Sequence, residues 1–233
     1  MLHLVNPIPA DRIRLIVFDL DGTLIDSRRD LTNSINAMLT EFERQPLPEE
    51  IIATYIGDGA AMLVRRALGD PDDEPLVESA LEHFLDHYRV HKLDYTYVYP
   101  GVFESLDTMR TAPDGTERKL AVLTNKPVRA SEDICKGLGL SRYMFRIYGG
   151  NSFNTKKPDP QGLKRLIQEA DVQPEETLMV GDSSVDILTA RRAGAWVIGC
   201  RFGLSSHTVE TIPSDCLVDH ASEWAEALTL RIA

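Results

Sequence analysis

The sequence predicts an α/β protein: a parallel sheet with flanking helices, interrupted after its first strand by an all-helical segment. Two observations carry this. Short continuous apolar runs alternate with stretches of helical periodicity along most of the chain, the pattern of a parallel sheet covered on both faces. Residues 25–95 instead hold helical stripes and no convincing strand.

Leu15-Ile16-Val17-Phe18 forms the first run and leads straight into Asp19. Leu120–Leu123 forms the second and ends at Thr124, Leu178–Val180 the third and ends at Gly181-Asp182, and Trp196–Ile198 the fourth. Between the later runs, Leu163, Leu166 and Ile167, then Ile187, Leu188 and Ala190, keep helical spacing. In an open parallel sheet the site lies beyond the carboxyl ends of the strands. Three strands therefore deliver polar residues to one edge. Within 25–95 three apolar stripes follow one another: Leu31, Ile35, Met38, Leu39 and Phe42; Leu63, Val64, Ala67 and Leu68; Leu81, Phe84, Leu85 and Tyr88. Gly69 and the acidic, proline-bounded stretch 70–75 mark a turn. The expected division is a core of residues 1–24 and 96–233 with a helical domain of residues 25–95.

Composition narrows the function classes. A chain of 233 residues can bury a sizeable core in one large or two small domains. The net charge is −11, and residues 25–95 contribute −8 of it through 15 acidic against 7 basic residues, as a solvated helical surface would. Such a balance argues against nucleic acid or an anionic membrane surface as partner. No apolar run approaches the roughly 20 residues of a membrane-spanning helix, and the N-terminal stretch lacks a signal-peptide pattern. Cys135, Cys200 and Cys216 are odd in number and scattered, which suits a reducing, cytoplasmic compartment.

Four clusters carry chemistry. Asp19 and Asp21 leave a strand end two residues apart, so both face one side, and Gly22 permits a sharp turn after them. Such a pair can hold a hard cation or divide nucleophilic and proton-handling work; the structural alternative is a loop-capping pair. Thr124-Asn125-Lys126-Pro127 offers a hydroxyl, an amide and free N–H groups at a helix start, which makes either an anion site or a plain cap. Lys156-Lys157-Pro158-Asp159-Pro160 places lysines in a loop stiffened by two prolines, with Asp159 and Pro160 as the N-cap and first residue of the next helix. Asp182 and Asp186 lie one helical turn apart and can address the same site.

In order and spacing, DLDGTLIDS (19–27), LTNKP (123–127), KKPDP (156–160) and GDSSVDI (181–187) resemble the four successive motifs of the haloacid dehalogenase-like superfamily. The likeness spans essentially the whole chain. It implies a Rossmann-like three-layer core with 25–95 as an inserted C1-type cap. Within the superfamily the chain is most similar to bacterial phosphoglycolate phosphatases, through YIGDGAAMLVRRAL (55–68), YPGVFESL (99–106) and GGNSFNTKKPDP (149–160).

The resemblance implies a phosphatase that hydrolyses a small phosphorylated metabolite, 2-phosphoglycolate first among candidates, through an aspartyl-phosphate. Asp19 would be the nucleophile and Asp21 the acid and base. Thr124 and Asn125 would bind the phosphoryl oxygens, and Lys157 would offset their charge. Mg²⁺ would be held by Asp19, the carbonyl of Asp21, Asp182, and Asp186 directly or through water. Gly57, Asp58 and Gly59 could face the site from the cap, and Arg65 or Arg66, if turned inward and not solvated on the helix surface, would suit a substrate carboxylate. The dehalogenases lack a second Asp, so Asp21 favours phosphate esters. Phosphonate hydrolases of this fold use a cap lysine, and Lys92 is the only lysine in 25–95. A phosphosugar mutase like β-phosphoglucomutase, a phosphatase for another ester or pyrophosphate, and a non-catalytic binding protein are the competing classes, with a monomer or homodimer as the assembly.

Three further features are expected to be structural. Ser27-Arg28-Arg29-Asp30 resembles a capping box with Asp for the usual Glu. His83, His87 and His91 recur every fourth residue as a solvated ladder, and Cys200 has no flanking base. The loop 114–117 lies on the far side of the sheet from the chemistry.

Overall fold

The computed structural model describes residues 2–229. In chain order the elements are β1 (His3–Leu4), β2 (Leu15–Phe18), β3 (Ile25–Asp26), α1 (Arg28–Glu41), α2 (Glu49–Ala53), α3 (Ala60–Ala67), α4 (Glu74–His91), β4 (Tyr97–Val98), α5 (Val102–Met109), β5 (Lys119–Leu123), α6 (Val128–Gly137), β6 (Met144–Tyr148), α7 (Gln161–Ala170), β7 (Thr177–Gly181), α8 (Ser184–Ala193), β8 (Trp196–Cys200), β9 (Cys216–Val218) and α9 (Trp224–Ala227).

Seven strands form one sheet in the order β1-β9-β8-β7-β2-β5-β6. All neighbours are parallel except β1, which runs antiparallel to β9. β2 lies between β5 and β7, with Phe18 level with Val122 on one side and Val180 on the other. The strand order reverses there, so the three motif-bearing strand ends meet at a topological switch point.

Alternate residues along these strands enter opposite cores. Ile16, Phe18, Leu120, Val122, Leu178 and Val180 pack with Leu106, Ile134 and Trp224 of α5, α6 and α9. Leu15, Val17, Ala121, Leu123 and Met179 pack with Leu163, Leu166, Ile187 and Ala190 of α7 and α8. Helices thus cover both faces in three layers. Each Val, Leu, Ile, Phe or Met side chain among them, taken fully out of water, contributes about 1.5–3 kcal/mol.

The four strands expected from apolar runs are present, and three are a residue or two longer. β6 and β9 were not anticipated. Edge strand β6 is half-buried with Arg146 exposed, so its sequence shows no continuous apolar run. β3 and β4 pair antiparallel, Ile25 with Val98 and Asp26 with Tyr97, so the start of the segment expected to be wholly helical is a short strand. Between them α1 packs on α2 and α4, and α4 packs on α3. The buried residues Leu31, Ile35, Leu63, Val64, Phe84 and Tyr88 continue the α5/α6/α9 core.

Two local expectations change. Ser27 makes no side-chain cap on α1. Its hydroxyl donates to Asp21, while buried Asp30 accepts from the backbone N–H groups of Tyr95 and Thr96 and from the Thr96 hydroxyl. Both side chains find partners on the returning chain and the strand end, and these outcompete a local cap. Asp159 accepts from Gln161 N at 2.9 Å, but the helix begins one residue later than expected, with Pro160 as its cap.

Candidate active site

Asp19 prolongs the ladder at the end of β2, its N–H donating to Val180 O at 2.9 Å. Gly22 follows at φ +86, and a Cβ there would stand 2.1 Å from Asp182 Oδ2, so only glycine lets the two strand ends approach. Asp182 leaves β7, and its Oδ2 accepts from Ser205 N at 2.8 Å. Asp186 forms a capping box with Ser183 at the start of α8.

Lys157 reaches this group from the loop before α7. Its Nζ lies 2.7 Å from Asp19 Oδ1 and 2.6 Å from Asp186 Oδ1. The Asp186 contact is an aligned hydrogen bond, whereas buried Asp19 Oδ1 meets Lys157 as an ion pair and has no further partner. Burial pushes the Asp19 carboxyl up to about 6; Lys157 opposes that shift and Asp186 adds to it. Burial and the neighbouring Asp186 and Asp19 also raise Asp182. Burial lowers Lys157, but Asp186 and Asp19 more than reverse this. Oxygens of Asp19, Asp182 and Asp186 lie within 4.8 Å of one another. One lysine does not balance three buried carboxylates. A single ammonium shared between Asp19 and Asp186, together with the all-oxygen donor set, fits a hard divalent cation.

Asp21 turns away from that triad. Its two oxygens lie 3.0 Å from Lys126 Nζ, and Oδ1 also accepts from Ser27. Lys126 is 7% exposed and also lies 4.6 Å from the centroid of the Tyr88 ring. Sequence reasoning missed Lys126. The signal available was its place inside the strand-end motif 123–127, but a loop lysine ordinarily points to water. Thr124 and Asn125 are buried beside it, and Thr124 Oγ1 accepts from Lys126 N. The Asn125 side chain donates to Gly57 O and Lys157 O, both at 3.0 Å.

A cavity of about 50 Å³ lies between strand ends and helices, walled by Asp19, Asp21, Thr124, Asn125 and Lys126 and by Gly57, Gly59, Leu63, Phe84 and Tyr88. The expected cap residues divide here. Gly57 and Gly59 line it, whereas the Asp58 side chain pairs with Arg66. Arg65 does not face the cavity. It donates to Pro71 O and pairs with Glu74, and Arg66 also donates to Tyr55 O. Leu63, Val64 and Ala67 take the buried face of α3, which leaves both arginines to partners on the helical domain's own flank. Lys92 donates to Arg89 O and pairs with Asp133, outside the cavity.

The remaining candidates are structural. Cys200 is fully buried against Trp224 Nε1, with its thiol pushed well up by burial, so it is no nucleophile. His83 packs on Phe42, His87 meets Ser34 Oγ, and His91 pairs with Asp94. Among the described residues the aspartate triad is the one cluster suited to a metal, and no helix is long and apolar enough to cross a membrane.

The family model for haloacid dehalogenase-like hydrolases matches residues 16–200, a span that holds Asp19, Asp21, Thr124, Asn125, Lys157, Asp182 and Asp186. The chain belongs to the haloacid dehalogenase-like hydrolase family. This hydrolase is 38% identical over 215 residues to a phosphoglycolate phosphatase of Chromobacterium violaceum, covering 91% of this chain and 94% of that one. It is 41% identical over 201 residues to a phosphoglycolate phosphatase of Pseudomonas putida, covering 84% and 72%. Its structure is similar to that of a predicted phosphoglycolate phosphatase from Haemophilus somnus 129pt, with a TM-score of 0.85 and 30% identity over 92% of this chain and 97% of that one.

Proposed function

We propose that this hydrolase is a Mg²⁺-dependent phosphatase of a small phosphomonoester, 2-phosphoglycolate, cleaving it to glycolate and phosphate. The observation that carries this reading is the Asp19 carboxylate: buried at a strand end on the cavity wall, ion-paired with Lys157 at 2.7 Å, and grouped with Asp182 and Asp186. A carboxylate so placed, with its charge offset by a fixed lysine, can attack phosphorus. Two relatives over most of the chain carry that activity in their names, and the small cavity suits a small ester.

Asp19 attacks phosphorus as the bond to the ester oxygen breaks, giving an aspartyl-phosphate. Asp21 delivers a proton to the departing alkoxide. It then takes one from water, which attacks phosphorus, releases phosphate and restores Asp19. The Thr124 hydroxyl and the Asn125 backbone N–H bind phosphoryl oxygens, and Lys157 offsets the repulsion between nucleophile and phosphoryl group. Asp19, the carbonyl of Asp21 and Asp182 would hold Mg²⁺, with Asp186 direct or through water. The bound ion supplies further positive charge to the phosphoryl oxygens. The oxygens of Asp186 are already engaged by Lys157 and Ser183, which favours the indirect role. Residues 25–95 act as the cap, opening at the β3/β4 ribbon to admit substrate.

Phosphate release from a panel of small esters, with Mg²⁺ and with EDTA, tests this. Preferred turnover of 2-phosphoglycolate that EDTA abolishes is the expected result. Mg²⁺-dependent release confined to other esters would discard the substrate and keep the phosphatase; no release from any ester would discard both.

A further inference from the structure

Lys126 is a buried cation that the chemistry above leaves without a task. Its neighbours are committed: Lys157 to Asp19 and Asp186, Lys156 to Asp58 O on the cap loop. The two cap arginines are committed outside the cavity. Lys126 lines the cavity itself, 3.0 Å from both oxygens of Asp21, with Tyr88 of α4 laid over its ammonium. The Tyr88 hydroxyl is buried at the cavity wall beside Lys126, and its O–H finds no acceptor. A donor left unpaired there costs stability unless a ligand takes it.

The position of Asp21 locates what Lys126 meets. Asp21 serves the bridging oxygen of the ester, so a cation on the Asp21 carboxylate stands beside that oxygen. In 2-phosphoglycolate a single methylene separates the bridging oxygen from the carboxylate. We infer that Lys126, assisted by the Tyr88 hydroxyl, is the specificity-determining group that binds the substrate carboxylate, so that the site selects short esters carrying a second anion next to the phosphate. This rests on the proposed phosphatase reading. The carboxylate would share the ammonium with Asp21 and loosen the pair that holds Asp21 in place. Because Tyr88 belongs to α4, the carboxylate is read only with the helical domain closed.

The test compares kcat/KM for 2-phosphoglycolate with kcat/KM for ethyl phosphate, which replaces the carboxylate by a methyl group. Wild-type enzyme, Lys126→Met, Lys126→Arg and Tyr88→Phe are measured with Mg²⁺. Lys126→Met is expected to lower the ratio of the two values by about tenfold to a hundredfold, the strength of a charged hydrogen bond, with most of the loss in KM for 2-phosphoglycolate. Lys126→Arg restores part of the ratio, and Tyr88→Phe lowers it a few-fold. If both activities fall together in Lys126→Met and the ratio stays constant, Lys126 acts only through Asp21 and the inference is overturned. Should that variant not fold, an unchanged ratio in Tyr88→Phe overturns it equally. Wild-type enzyme that shows no preference between the two esters refutes the substrate reading itself, before any variant is compared.

Discussion

The side-chain amide of Asn125 donates to the backbone carbonyl of Gly57 at 3.0 Å, tying the end of β5 to the loop before α3. Two neighbouring carbonyls are held in the same way. Ser205 Oγ donates to Ile56 O at 2.8 Å, and Lys156 Nζ donates to Asp58 O at 2.6 Å. Three consecutive carbonyls of the helical domain are therefore latched by three separate segments of the core. The two neutral bonds are worth roughly 1 kcal/mol each and the charged Lys156 bond about 1.5–3 kcal/mol.

Ser205→Ala removes one latch and keeps the Asp182 contact, which uses the Ser205 backbone N–H. KM for the preferred ester is expected to rise about twofold to tenfold, the worth of one neutral hydrogen bond, with a smaller change in kcat. Initial-rate kinetics decide it, and an unaltered KM would dismiss the latch.

Asp19→Asn removes the attacking oxygen while keeping size and shape. Turnover is expected to fall by several powers of ten, each worth ~1.4 kcal/mol of barrier. The circular dichroism spectrum should match that of wild type. Residual turnover near the wild-type rate would place the nucleophile elsewhere.

The raised Asp19 carboxyl has a consequence for stability. Its ordinary value is 3.8, and burial takes it to about 6. Between those values the folded chain holds a proton that the unfolded chain has released. The stability from this group is complete below about pH 4 and is lost as pH rises through 6. In EDTA, the Tm advantage of Asp19→Asn over wild type should therefore be small at pH 4 and larger at pH 7. A difference that stays flat across that window would contradict the burial argument. Mg²⁺ must displace the same proton, so its affinity, read by calorimetric titration, should weaken as pH falls through 6.

Lys157→Met takes the cation from Asp19 and from fully buried Asp186. Breaking a buried pair from one side costs about 3–5 kcal/mol, so the urea midpoint in EDTA should drop sharply and phosphate release should vanish. A variant as stable as wild type would show that solvent or a rearranged partner already compensates those carboxylates.

Much of the site was legible in the sequence because its parts are local. Leu15–Phe18, Leu120–Leu123 and Leu178–Val180 are apolar on both faces, and Asp19, Thr124 and Asp182 stand where each run stops. A buried parallel strand that ends in polar residues exposes them at the sheet edge whatever surrounds it. The partners of individual side chains were not legible. Lys126 pairs with Asp21 across 105 positions, and Ser27 joins them instead of capping α1. Arg65 and Arg66 are adjacent on one helix, and no periodicity foretold that both would turn to Glu74 and Asp58.

By itself, then, the sequence determined the alternation of strand and helix, the three strand ends that carry carboxylates and hydroxyl, and the family likeness. Tertiary structure alone decided which lysine guards which aspartate, which side chains wall the cavity and where the helical domain is latched. Hydrophobic periodicity is written into consecutive residues. The pairing of a buried charge depends on whichever opposite charge the fold brings within about 4 Å, however distant in the chain.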